Sequence, residues 1–298
     1  MSYFEEYIKQ GDPAKKERAN LWRTAIGLQQ VDGLKVSASL LEIARQNIKG
    51  DITFADAKSR IDAYYKTVAS TQIIKEGRTE EADRVSTRIA EILSEKTFSF
   101  SPAEYLNIHN RLFAGLYEFA GKMRGYNITN AEWVLNGDTV LYADAGNLGA
   151  TLKYDFEKEQ KFSYKFLTQR QTIEHIARFI SDLWQIHPFA EGNTRTTAVF
   201  LIKYLRTLGF KNMNSDPFAQ HSKYFRNALV RANYKNLKDN VHSTNVYLEH
   251  FLQNLLLDGK NTLKNRELHI HYSTMEKIPQ LQHADSQVKT NETPSGMG

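Results

Sequence analysis

The chain has 298 residues, 41% of them hydrophobic, which is enough to bury a core in one large or two modest domains. It has no cysteine, which excludes disulfides and thiol catalysis, and its apolar runs stay below the roughly 18 residues that a membrane span needs. The net charge of +5 comes from dispersed basic residues without a recognised nucleic-acid motif, so neither a membrane nor a nucleic acid is an expected partner.

The front of the chain contains a small unit at residues 34–67, made of two helix-like runs that Gly50 separates. Thr53 is a candidate cap of the second run, with Asp56 three residues further on. Helical periodicity dominates the rest of the chain. We therefore expect an all-α fold.

One β element is predicted within this helical background. Asn136-Gly137 supplies the two positive φ values of a type I′ turn, and Trp133, Val134 and Leu135 precede it. The pattern predicts a β-hairpin over residues 132–142. From the residues alone, a surface hairpin that binds nothing is an equally good interpretation.

Residues 187–195, His-Pro-Phe-Ala-Glu-Gly-Asn-Thr-Arg, separate two strongly apolar helical segments. Pro188 disfavours helical angles at His187, so the first segment is expected to end near Ile186. The second is expected to begin near Gly192 or Asn193, with Asn193 available as its cap and Gly209 following its end.

The residue types in this loop suit phosphate and metal chemistry. His187 can accept a proton at neutral pH, and Glu191 is the kind of oxygen ligand that Mg²⁺ takes beside substrate phosphates. Gly192 permits close backbone approach, Asn193 offers amide donors, and Arg195 can bind phosphate oxygens bidentately. A helix that begins at such a loop also favours anions.

Two other interpretations compete with a phosphate site. A zinc site pairing His187 with Glu191 is disfavoured because Pro188 and Gly192 interrupt the helix that it would need. A capped helix start with a buried histidine and a surface arginine would explain each residue singly. The combination in one loop favours a phosphate-handling enzyme.

The loop matches the signature HPFx[D/E]GNxR, and the chain resembles the Fic family. Residues 108–113 and 120–124 are similar to the family's upstream helix and its exit. The resemblance covers at least 104–206 and extends over most of 80–270. It implies a helical bundle with a β-hairpin flap over the active site.

The resemblance also implies a reaction, which is transfer of AMP from ATP to a Ser, Thr or Tyr hydroxyl of a target protein, with self-modification. His187 would be the general base and Glu191 would hold Mg²⁺ against the phosphates. The flap would bind a target segment as an added strand. The phosphate-binding residues implied are Gly192, Asn193, Thr194 and Arg195, and the flap residues are Trp133, Val134, Leu135, Asn136 and Gly137.

Departures from the family pattern keep two alternatives open. Most AMP-transferring members have glycine where Thr194 stands, and Doc-type members, which transfer phosphate, have lysine there. Ala190 and Ala198 replace residues that are often arginine. The alternatives are a Doc-like phosphotransferase and a catalytically silent Fic-fold regulatory or binding module.

Residues 34–67 resemble an antitoxin-like domain that, in some Fic systems, inserts a helix with the pattern [S/T]xxxE[G/N]. Its glutamate pairs with the signature arginine. Here Arg45 and Lys49 stand at the Ser/Thr and Glu positions, and Lys49 would repel Arg195. Glu91 has the TxxxE spacing from Thr87, although isoleucine follows it, and is a weak candidate inhibitor.

The expected organisation is an N-terminal helical segment at 1–79, a Fic domain at 80–270 and a flexible tail at 271–298. With no cysteine and no signal peptide, the cytoplasm is the expected location, and delivery into another cell is left open. The sequence also leaves open a separate inhibitor protein and a homo-oligomer.

Overall fold

The computed structural model describes residues 3–70 and 78–271, without the side chains of residues 68–70. Within these ranges the protein has helices and no β-strand, which confirms the all-α expectation. The helices are α1 (Glu5–Lys9), α2 (Pro13–Gly27), α3 (Ala38–Lys49), α4 (Phe54–Ser70), α5 (Thr79–Ser94), α6 (Pro102–Phe113), α7 (Leu148–Lys161), α8 (Gln169–Ile186), α9 (Asn193–Thr207), α10 (Asp216–Ala232) and α11 (Val246–Leu257).

The front unit folds as its start and stop signals predict. Gly50 takes a φ of 93° at the end of α3, where a left-handed residue is needed. Thr53 and Asp56 bond reciprocally before α4, with the Asp56 N–H on Thr53 Oγ1 at 3.1 Å and the Thr53 N–H on Asp56 Oδ2 at 2.9 Å. The predicted cap is therefore confirmed.

Helix α9 lies at the centre of the molecule, packed against α5, α6 and α8. Every residue from Asn193 to Leu205 is buried, as the nearly uniform apolar pattern predicts. An aromatic cluster packs around the middle of α9. The ring of Phe200 contacts the rings of Phe98, Phe100, Tyr105 and Phe156 at centroid distances of 5.2 to 5.8 Å. This cluster joins the middle of α9 to three other segments of the protein.

The predicted hairpin at 132–142 is wrong. Asn136 and Gly137 do form the expected turn, with φ values of 56° and 87°. A 3₁₀ turn at Trp133–Leu135 replaces the first strand, however, because Val134 and Leu135 are both buried in the core, whereas an extended strand would point them to opposite faces. Residues 138–144 have no regular secondary structure and pair with no strand in the described chain.

The front of the chain packs directly on the remainder. Helix α2 contacts both α5 and α10, and Arg23 on α2 pairs with Asp216 on α10 at 2.5 Å. The domain division at 79/80 stays a prediction, and the predicted tail lies outside the described residues from 272 onward. Among the helices described, none is long and apolar enough to cross a membrane.

Candidate active site

The loop between α8 and α9 reverses the chain through two left-handed residues. His187 has φ 49° and Gly192 has φ 80°, so α8 ends at Ile186 and α9 begins at Asn193, as expected. The predicted cap by Asn193 is wrong. Its side chain instead binds both the N–H of Phe189 (3.0 Å) and the carbonyl of Phe189 (2.7 Å), which closes the loop on itself.

His187 is a buried, neutral base with a defined tautomer. Its Nδ1 lies 3.3 Å from the Trp184 carbonyl, which can only accept, so Nδ1 carries the proton and Nε2 is free to accept one. The Tyr142 ring lies over it at a centroid distance of 4.2 Å. Burial lowers the pKa of His187 to about 3. In this closed arrangement the histidine is a weak base.

Glu191 is the exposed acid of the loop. Its side chain is 41% exposed, and its Oε1 accepts the Gly192 N–H at 3.0 Å. Gly192 follows at a place where any side chain would collide, because a Cβ there would lie 2.4 Å from the Phe113 ring. Glycine therefore serves both the positive φ and the close approach of the loop to α6.

Thr194 is buried in the first turn of α9 and has ordinary helical angles, so this β-branched residue is not required to adopt a positive φ. Its Oγ1 accepts the indole N–H of Trp184 at 2.9 Å. The hydroxyl thus ties α9 to α8. Its backbone N–H belongs, with those of Asn193 and Arg195, to a helix start without a side-chain cap.

Arg195 is completely buried and held by groups from the front of the chain. Its Nη2 donates to Glu81 Oε1 at 2.7 Å, and its Nη1 donates to Gln29 Oε1 at 3.1 Å. Its Nε lies 2.9 Å from Asp32 Oδ2, as an ion pair without hydrogen-bond geometry. The ring of Phe113 covers the guanidinium at 4.9 Å.

Glu81 is ionised in this site. Burial alone would raise its pKa, but hydrogen bonds from Arg78 and the charge of Arg195 lower the pKa below the ordinary value. Glu91, which the sequence singled out, lies ten residues later on α5 and is absent from the contacts that the structure records for Arg195. Lys49 is exposed.

The proposed flap residues do not all face the solvent. Val134 and Leu135 are buried, whereas Trp133 is 56% exposed and contacts His269 at 5.0 Å. Residues 139–144 instead border a cleft of about 440 Å³, whose other side is formed by residues 127–129.

Two buried residues that the sequence analysis had not singled out hold the loop in place. His109 on α6 lies 3.0 Å from the Glu191 carbonyl, and burial lowers its pKa to about 4. Arg124 binds the His187 carbonyl at 2.8 Å. Both lie in the segments 108–113 and 120–124, so the family resemblance pointed to their neighbourhood without giving them a role.

Comparison with known proteins places the loop within a region that matches a known family. A model described as the Fic/DOC family matches residues 99–205, the stretch that contains α6, the loop and most of α9. Residues 99–205 form a Fic/DOC domain.

Relatives of this Fic domain carry names of AMP-transferring enzymes. The probable protein adenylyltransferase y4lH of Sinorhizobium fredii is 28% identical over 149 residues, which are 49% of this chain and 70% of that protein. Protein adenylyltransferase VbhT of Bartonella schoenbuchensis is 27% identical over 103 residues, which are 35% of this chain but 20% of VbhT. At the level of the family, AMP transfer is therefore supported.

The chain is also similar to a solved structure, the N-terminal FIC domain of the Bep8 protein from Bartonella sp. 1-1C. The TM-score is 0.46 at 17% identity, over 65% of this chain and 92% of that one.

Proposed function

We propose that the Fic domain transfers AMP from ATP to a Ser, Thr or Tyr hydroxyl of a protein, and that it modifies itself. The observation that carries the proposal is the loop itself, in which a histidine with a free Nε2 stands beside an uncapped helix start. His187 would accept the proton of the attacking hydroxyl. The names of the relatives support AMP as the transferred group.

The start of α9 fits a phosphate group. The backbone N–H groups of Asn193, Thr194 and Arg195 have no partner within the helix, and the positive end of the helix dipole lies there. Developing negative charge on the phosphate would be stabilised by these donors. They are fixed in advance, because the side chains of Asn193 and Thr194 are hydrogen-bonded within the loop and to α8.

Glu191 fits a magnesium ion bound together with the nucleotide. No group of three or more acidic or histidine side chains that could hold a metal occurs among the described residues. Mg²⁺ beside substrate phosphates needs only one or two carboxylates, and the half-exposed Glu191 supplies one. When bound, the ion would neutralise phosphate charge.

The cleft beside residues 139–144 suits an extended target peptide. The backbone N–H groups of Val140, Leu141 and Tyr142 make no hydrogen bond within the described residues, whereas the carbonyl of Leu141 accepts from Gln185, and Leu141 is 83% exposed at the rim. A peptide that added here as a strand would be held by main-chain hydrogen bonds. Tyr142, which covers His187, belongs to the same segment, so binding of a target there would also uncover the base.

Arg195 would contribute to phosphate binding once the charge of Glu81 is reduced or moved. A Glu81→Gln variant should therefore bind ATP several-fold more tightly in calorimetry. Both proteins also carry Glu191→Gln, which removes the proposed Mg²⁺ ligand, so that the comparison reports nucleotide binding without the metal. Glu80→Gln is the matched control, because Glu80 pairs with Arg84 on the same helix. Unchanged affinity in Glu81→Gln would exclude Glu81 as the group that withholds Arg195 from the phosphate, because Asp32 and Gln29 hold the same guanidinium.

The intact mass of the protein after incubation with ATP and Mg²⁺ tests the reaction, beside a His187→Ala variant. The proposal expects one added AMP mass in the wild type and none in the variant. An added phosphate mass would establish the Doc-like phosphotransferase instead. If neither AMP nor phosphate were added, in the wild type or in Glu81→Gln, the result would favour a catalytically silent binding module.

A further inference from the structure

The segment between His109 and Arg124 holds the signature loop at both of its ends. It leaves α6, turns at residues 114–122 and returns beside the loop. His109 contacts the end that carries Glu191, and Arg124 contacts the end that carries His187. Both side chains are buried, with exposed fractions of 0% and 5%.

The two hydrogen bonds of His109 define its tautomer. The N–H of Gly121 donates to Nδ1 at 2.8 Å, so Nδ1 carries no proton. Nε2 lies 3.0 Å from the Glu191 carbonyl, which only accepts, so Nε2 carries the proton and donates it. The imidazole therefore bridges the segment and the loop as one neutral unit.

The ring of His109 is also fixed by stacking. It lies parallel to the Phe189 ring, at a centroid distance of 3.6 Å and an interplanar angle of 6°. Phe113, which blocks any side chain at Gly192, lies 4.8 Å away on the same helix. These contacts fix the backbone on both sides of Glu191. They therefore also fix the position from which the Glu191 side chain extends.

Arg124 fixes the other end through carbonyl groups alone. Its Nε donates to the His187 carbonyl at 2.8 Å, and its backbone N–H donates to the Pro188 carbonyl at 2.8 Å. Its Nη2 donates to the Ala143 carbonyl at 2.5 Å. The guanidinium of Arg124 thus connects His187 to residues 139–144, which line the proposed target cleft.

We propose that His109 and Arg124 are separate positioning residues of the reaction: His109, as the Nε2–H tautomer, orients Glu191 for its metal, and Arg124 orients His187 for the target hydroxyl. The inference rests on the proposed function. It goes beyond the signature because it divides the work between two residues outside the loop. Loss of each should therefore change a different kinetic quantity.

The test uses one variant at each residue and one control. His109→Phe keeps the ring and its stacking but removes both hydrogen bonds, and should raise the Mg²⁺ concentration for half-maximal rate about tenfold, as loss of such supporting partners commonly does. Arg124→Lys keeps the charge but loses the planar guanidinium with its several N–H donors. It should lower kcat about tenfold and leave the Mg²⁺ dependence unchanged. Arg111→Lys, on the same helix but paired with Glu95, should change neither quantity.

Two further measurements do not depend on AMP transfer. Their failure can therefore be distinguished from failure of the proposed reaction. ¹⁵N NMR of the His109 ring at neutral pH should show a protonated Nε2 and an unprotonated Nδ1. Broadening of the Gly192 amide by Mn²⁺ with ATP should require about tenfold more Mn²⁺ in His109→Phe.

The opposite tautomer, or equal Mn²⁺ dependence in wild type and His109→Phe, would overturn the role of His109. If both variants changed kcat and Mg²⁺ dependence by the same factors, the division of roles would be wrong. A wild type that binds Mn²⁺ and ATP but transfers nothing would instead contradict the proposed function.

Discussion

Replacement of Gly192 by alanine should destabilise the protein far more than the loss of one glycine ordinarily does. The residue has a φ of 80°, and a Cβ there would lie 2.4 Å from two carbons of the Phe113 ring. That ring cannot easily move, because it also packs on His109, Tyr117 and the guanidinium of Arg195.

The magnitude has two parts. The left-handed conformation costs about 1–2 kcal/mol for a residue with a Cβ. Overpacking against a fixed neighbour adds about 1–3 kcal/mol. The free energy of unfolding should therefore fall by about 2–5 kcal/mol in Gly192→Ala.

Gly115→Ala is the matched control, because Gly115 has a φ of 73° and open space around its Cβ position. Only the conformational cost applies there, so its loss should be about 1–2 kcal/mol. Urea unfolding of both variants, followed by circular dichroism, measures the difference. Equal losses at the two glycines would refute the contact between the loop and Phe113.

Three further predictions concern buried ionisable groups. Tyr142→Ala should uncover His187 and raise its pKa from about 3 toward the ordinary value of about 6.5, which a pH titration by NMR would measure; an unchanged pKa would contradict the covering role of Tyr142. Burial holds the pKa of His109 at about 4 and that of His187 at about 3, so the unfolded state binds more protons below about pH 6.5. Compared with His109→Phe or His187→Ala, the free energy of unfolding of the wild type should fall by up to about 1.4 kcal/mol more per pH unit as the pH drops from about 6.5 to 4, and an equal dependence would show that the ring binds protons alike in the folded and unfolded states. Glu132→Gln should cost about 3 kcal/mol in urea unfolding, because it leaves the charge of Arg226 facing a neutral group, whereas a loss below about 1 kcal/mol would mark the pair as no stronger than an exposed one.

The sequence predicted the parts of the fold that depend on local signals. The end of α8 at Ile186 follows from Pro188, and the start of α9 follows from Gly192. The turn at Asn136 was also predicted, because two adjacent residues suffice to specify it.

The errors arose where tertiary contacts outweigh local pattern. Val134 and Leu135 were predicted to be parts of a strand, yet a tight 3₁₀ turn packs both of them on the core. Asn193 was predicted to be a helix cap, yet its side-chain amide instead makes two hydrogen bonds with the backbone of Phe189.

The partners of Arg195 could not be found from sequence. Glu81 and Asp32 carry no motif, and they reach the arginine because α5 and the 3₁₀ turn at Leu28–Asp32 pack on α9. The pattern TxxxE points to Glu91 on α5 instead. Spacing patterns of this kind describe neighbours along a helix, whereas these contacts join distant parts of the chain.

The burial of Arg195 also bears on how much of the chain must fold together. Its bonds to Glu81 and Gln29 span 114 and 166 residues, and both partners lie outside the matched stretch 99–205. A fragment cut to that stretch would keep the guanidinium and lose the groups that neutralise it, a defect worth several kcal/mol for a buried charge. The signature loop is therefore not an autonomous folding unit, because contacts with residues 114 and 166 positions away along the chain complete it.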